Sequence, residues 1–144
     1  MLQSQEERWR GEHSVETSAS PEVIWQIFSD VPAWKSWNAG IEQIEMRGPF
    51  RVGTEFLMTP PGQEPLLTKL IEVRENELFS DETRVGEIVV IVAHRLERIA
   101  LGRTRVTYAV EASGPGCAAV GPAVSSDFPA VLKSLVQIAE ARMA

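Results

Sequence analysis

The sequence predicts an α+β fold, an antiparallel sheet of about seven strands closed by a long C-terminal helix. Three observations predict it. Between Ile41 and Ser113, short β-rich segments follow one another, separated by turn residues. Their connections are shorter than the dozen or more residues that a parallel crossover needs, so neighbours should pair antiparallel as a meander. From Phe128 onward the pattern changes: Phe128, Val131, Leu132, Leu135, Ile138, Ala139 and Arg142 fall at steps of three and four, placing the apolar members on one helical face.

The first residues, those before about Glu12, are charged around an isolated Trp9 and read as a frayed or locally helical lead-in. His13 to Ser18 alternates as a first strand, with Val15 and Thr17 facing inward. Ser20-Pro21-Glu22 is a helix start: the serine hydroxyl can accept from free N–H groups, proline fits the first helical position, and the glutamate suits the positive end of the dipole. Ile24, Ile27, Phe28 and Val31 make that helix's apolar stripe. Pro32 ends it by disfavouring helical geometry in the preceding residue. A helical turn over Ala33–Trp37 would put Trp34 and Trp37 on one face, either as a plug for the core or as a wall of a ligand site.

Strands are then expected over Ile41–Met46, Thr54–Thr59, Leu66–Val73, Leu78–Thr83, Glu87–Ile99 and Thr104–Ser113. Gly48-Pro49, Pro60-Pro61-Gly62, Arg74-Glu75-Asn76, Gly86 and Gly102 supply the turns. Gly114-Pro115-Gly116 permits a sharp reversal into the closing segment. Pro122 and Pro129 leave two descriptions open there. Either Ala118–Ser126 is a separate helical piece with Ser126 or Asp127 starting the long helix, or one kinked helix runs through.

Composition bounds the function. With 144 residues the chain is long enough for one domain, taken as residues 1–144, and an apolar share of 44% with 24% charged residues is that of a globular protein. The net charge of -6 argues against a nucleic-acid backbone as partner, since that requires surplus Lys and Arg. Cys117 is the only cysteine, so no internal disulfide can form, and His13 and His94 are the only histidines. Neither a metal nor a cofactor is indicated, and the nucleophile-elbow, phosphate-loop, zincin and dinucleotide signatures are missing. A polar N-terminus and the lack of an aliphatic run longer than Ile88–Ala93 predict a cytoplasmic protein without integral membrane association. Cys117 is expected to be a structural thiol. Glu72, Glu75, Glu77, Asp81 and Glu82 read as a solvated acidic rim.

A resemblance covers nearly the whole chain. It is carried by Ser20-Pro21-Glu22-Val23-Ile24-Trp25, by Asp30 with Trp34 and Trp37, by Gly53-Thr54, by Ala93-His94-Arg95-Leu96, by Arg103-Thr104-Arg105-Val106-Thr107, and by Asp127-Phe128-Pro129 leading to Ala139-Glu140-Ala141. In order and spacing these segments resemble the START-like superfamily, particularly its polyketide cyclase/dehydrase branch. The resemblance implies a helix-grip fold, a curved sheet holding the C-terminal helix with a mostly apolar pocket between them. Activities within that superfamily range from carrying lipids, quinones or hormones to cyclising and dehydrating polyketides.

Alternation in the last strand puts Val106, Tyr108, Val110 and Ala112 on one face, taken as the inner one. In the strand before it, Val90, Val92, His94 and Leu96 form a matching set, although Val89, Ile91 and Ala93 are also apolar and leave the phase open. Phe56 and Met58 make an inner pair. The expected ligand residues are therefore Trp37, Phe56, Met58, Val92, His94, Tyr108, Val110, Phe128, Leu132 and Leu135. Three functions compete. The first is binding of a small, mainly hydrophobic molecule such as a lipid, polyketide, or aromatic or isoprenoid-like compound. The second is a cofactor-independent cyclase or dehydratase, with His94 as acid or base and Tyr108 donating a hydrogen bond to a developing enolate. The third is an interaction protein whose cavity is filled by its own side chains, His94 and Tyr108 then being bonded core residues.

Overall fold

The computed structural model describes residues 7–144. Strand β1 (Arg8–Thr17) is followed by helix α1 (Pro21–Ser29) and a 3-10 turn (Val31–Ser36). Six strands come next: β2 (Gln43–Met46), β3 (Glu55–Thr59), β4 (Leu66–Arg74), β5 (Leu78–Val85), β6 (Ile88–Ala100) and β7 (Arg103–Ser113). Helices α2 (Cys117–Ser125) and α3 (Phe128–Met143) close the chain. The sheet runs β1-β7-β6-β5-β4-β3-β2, antiparallel throughout. This is the helix-grip architecture, a seven-stranded antiparallel sheet holding a long C-terminal helix.

The helix starts obey the local chemistry. Ser20 Oγ accepts from the Val23 N–H at 3.2 Å, and Pro21 opens α1. At the C-terminal end Pro122 lies inside α2 and Pro129 in the first turn of α3, so the chain makes two helices separated by Ser126 and Asp127. Cys117 is buried at the start of α2.

The first strand begins at Arg8, several residues before alternation places it, because Arg8–Thr17 pairs along its whole length with β7. The reading of residues 8–11 as a lead-in is thereby corrected; residues 1–6 lie outside the described residues. Trp9 explains the early start. Its indole lies over Gly11 on its own strand and under Gly121 of α2, where a Cβ would fall within the ring. Two glycines thus make room for one tryptophan, which fastens α2 to β1. At the far end of β1, the Thr17 hydroxyl donates to the Glu140 carboxylate at 2.5 Å and holds α3 to the same strand.

Helix α3 makes its close backbone approaches to β1 and α1, with none comparable to β4, β5 or β6. Large side chains project into the intervening space. The phase of β6 is settled by burial: Ile88, Val90, Val92, His94 and Leu96 face inward, opposite Val106, Tyr108, Val110 and Ala112 of β7.

Candidate functional site

A continuous file of rings crosses the interior from β3 to α3. Phe56 meets Trp34 at 5.5 Å between centroids, Trp34 stacks on Phe79 at 5.7 Å, and Phe79 stacks on His94 at 3.9 Å with planes 7° apart. His94 then meets Tyr108 edge to face at 4.5 Å, and Tyr108 meets Phe128 at 5.4 Å. Register produces this file, since Phe79, His94 and Tyr108 are direct cross-strand partners on β5, β6 and β7. The expected adjacency of His94 and Tyr108 is therefore present.

The remaining expected ligand residues divide into neighbours of this file and outliers. Val92 and Val110 pair one step along the same two strands, and Phe128, Leu132 and Leu135 are buried on α3. Trp37 packs against Trp34 at 6.4 Å, away from His94 and Tyr108. Its indole N–H is buried without a hydrogen-bond partner, whereas that of Trp34 donates to the Phe28 carbonyl at 2.8 Å. Met58 is half-buried against the core.

The acidic rim requires correction at one position. Asp81 is not solvated: it lies on the inner face of β5 between Phe79 and Thr83, paired with Leu70 on one side and Val92 on the other, and is 8% exposed. The adjoining hydroxyls of Thr68 and Thr83 bond one another at 2.7 Å. None of the described residues donates to its carboxylate. Burial consequently pushes the Asp81 carboxyl up to about 7.

The other polar tips are in a related state. His94 Nδ1 lies 3.1 Å from the Phe79 carbonyl oxygen, which fixes the proton on Nδ1 and leaves Nε2 as an acceptor. Burial pushes its pKa down to about 3, so the ring is neutral at physiological pH and the charge change near neutrality passes to Asp81. Burial also raises the Tyr108 phenol, as do the nearby charges of Asp81 and Asp127. Neither Nε2 nor the Tyr108 hydroxyl has a hydrogen-bond partner among the described residues. These atoms and the Asp81 oxygens nonetheless keep contact with open space, since among the described residues only Trp37 Nε1 is both unpartnered and wholly enclosed. Asp127, at the α2–α3 break, has its own carboxyl raised by burial and lies where a Cβ on Gly40 would strike it.

Two open clefts lie elsewhere. One, of about 390 Å³, is formed by the β2–β3 connection around Arg47, Gly53 and Glu55. The other, of about 520 Å³, sits on the outer face of β1, β7 and β6 around Ile91, Ala93 and Ala109. Of the expected ligand residues, only Val110 borders either. Among the described residues no group of three His, Cys, Asp or Glu side chains is placed to hold a metal, and no helix is long and apolar enough to cross a membrane.

Alternation alone could have flagged Asp81, which shares its parity with Phe79 and Thr83. Four acidic residues nearby in sequence concealed it, together with a bulge between Leu70 and Glu72 that shifts the neighbouring register.

The family model described as polyketide cyclase/dehydrase and lipid transport matches residues 8–140. No curated protein sequence matches the chain. Solved structures share the fold at low identity. An aromatase/cyclase from a Streptomyces species superposes with a TM-score of 0.82 at 11% identity, over 96% of this chain and 97% of that one. Norcoclaurine synthase from Thalictrum flavum gives 0.79 at 16%, over 99% and 100%. A START superfamily protein from Mycobacterium smegmatis gives 0.73 at 18%, over 91% and 97%.

Proposed function

The chain belongs to the polyketide cyclase/dehydrase and lipid transport family, and from that premise we propose that it binds a small, mainly hydrophobic molecule between the sheet and α3. One observation carries the reading. Asp81, His94 Nε2 and Tyr108 present polar atoms to the interior that none of the described residues satisfies, while the surrounding faces are apolar and aromatic. Unmet polar groups of this kind are costly in a finished core, whereas a ligand site needs a few of them to fix orientation. Phe128, Leu132 and Leu135 form the helix wall, Val92 and Val110 the floor, and Phe56, Met58 and Trp37 the far end.

The enzyme reading uses the same groups. A cyclisation or dehydration needs a group that exchanges protons near neutrality, and Asp81 suits this better than the neutral His94, with Tyr108 donating to a developing oxyanion. The tight stacking of Phe79 on His94 favours a different outcome, an interior filled by its own rings.

Native mass spectrometry of protein purified from its producing cell, followed by thermal shift with the molecule retained, separates the three. A retained molecule that raises the melting temperature supports binding. If His94→Ala or Tyr108→Phe abolishes turnover of that molecule while affinity survives, the protein is an enzyme. Equal loss of both leaves binding, and no retained molecule with no shift across a hydrophobic panel leaves the filled core.

A further inference from the structure

Resting on the pocket proposed above, we infer that the molecule bound there carries a basic nitrogen, and that Asp81 is its anchor among aromatic rings.

The inference follows from the charges that face the interior. Asp81 is a carboxylate more than nine-tenths buried, aimed inward, with no donor among the described residues. The second acid, Asp127, approaches the same Tyr108 from the α2–α3 break. Nothing of opposite charge accompanies them. Every described Lys and Arg is exposed except Arg105, which pairs with Glu16. The buried faces of α1 and α3 are wholly apolar. His94 is held neutral by burial. His13 is half-buried against Phe128 on β1, three strands from Asp81, or about 14 Å at the usual strand spacing.

A site of this composition discriminates by head group. A carboxylate or phosphate ligand would bring like charge into a low-dielectric space with no cation to receive it. A neutral hydroxyl could exchange one hydrogen bond. An ammonium gains a charge-assisted bond to Asp81, and the π-face of a neighbouring ring, though not its edge, adds attraction for a cation. The proton balance is simple: the amine enters as its conjugate acid, and the fraction of Asp81 that is protonated in the free protein releases its proton to solvent as the ion pair forms.

Three naphthalenes bearing an aminomethyl, hydroxymethyl or carboxylate group at the same ring position test the inference, with affinities measured by isothermal titration calorimetry at neutral pH. The amine is expected to bind about tenfold or more tighter than the alcohol, as a charge-assisted bond implies, and the carboxylate weakest. Repeating the titration in two buffers of different ionisation enthalpy should show a proton released by wild type on binding the amine. Asp81→Asn should bring the amine's affinity to that of the alcohol and abolish proton release, whereas Asp127→Asn should keep the preference. Equal affinity for amine and alcohol, a preference for the carboxylate, or a preference that survives Asp81→Asn overturns the inference while leaving the pocket standing. Failure of all three probes to bind removes the pocket and the inference together.

Discussion

Replacing Asp81 by Asn should change how stability depends on pH. In the native protein the Asp81 carboxyl stays protonated up to about 7, against 3.8 without its surroundings, and His94 stays neutral down to about 3, against 6.5. A carboxyl raised in this way stabilises fully below 3.8 and loses its contribution as pH rises through 7. The lowered histidine does the opposite, stabilising fully above 6.5 and losing its contribution as pH falls towards 3. Between 3.8 and 6.5 the native state holds one proton on Asp81 and the unfolded state holds one on His94, so the pair contributes no slope. Asp81→Asn removes the native proton and exposes the histidine term, about 1.4 kcal/mol per pH unit across that interval. At pH 8 the variant also escapes the cost of a buried carboxylate. The interval from 3.8 to about 7 converts to about 4 kcal/mol in its favour, shrinking towards zero near pH 4. Urea denaturation of both proteins from pH 4 to 8 reads the difference directly. A variant that gains nothing at pH 8, or two parallel curves, would show that Asp81 is ionised and compensated in the native state, and the reasoning would fail.

Gly121→Val should displace the Trp9 indole and cost about 1–3 kcal/mol by overpacking, with a red-shifted tryptophan emission in the native baseline. Tyr108→Phe should change stability by less than about 0.5 kcal/mol, because the hydroxyl it removes has no partner among the described residues; a loss of 1 kcal/mol or more in denaturation would reveal one. Thr68→Val strands the Thr83 hydroxyl and should cost about 1–3 kcal/mol, while the added change Thr83→Val should recover part of it, a coupling measurable by a double-mutant cycle. Leu132→Ala, in the buried face of α3, should cost about 2–5 kcal/mol with the fold retained by circular dichroism.

The elements were legible wherever local chemistry decides them. Ser20-Pro21 sets the start of α1, Pro122 and Pro129 interrupt the closing segment, and the turn residues between strands leave little latitude in the meander. The phase of β6 was ambiguous for a physical reason: Ile91 and Ala93 floor an apolar cleft on the outer face, so hydrophobicity does not mark the core side. Trp9 was misread because its partner, Gly121, lies more than a hundred residues away and no periodicity links them. His94 and Tyr108 could be paired from alternation once the phase was assumed. The parity of Asp81 with Phe79 and Thr83 pointed the same way, but four acidic residues nearby in sequence made it look like one more member of an exposed rim.

Phe128 stands edge-on over Tyr108 where α2 gives way to α3, and the carboxylate of Asp127 rests beside Gly40 at the same place. If a molecule bound at the proposed site enters by this seam, it must first part these contacts. Exchange is then timed by the protein and not by diffusion: the observed association rate levels off as concentration rises, at the rate with which this seam opens. Departure obeys the same clock. Cargo acquired during synthesis would persist through dilution and washing, and the protein would serve as a slow reservoir even for a molecule it holds only moderately.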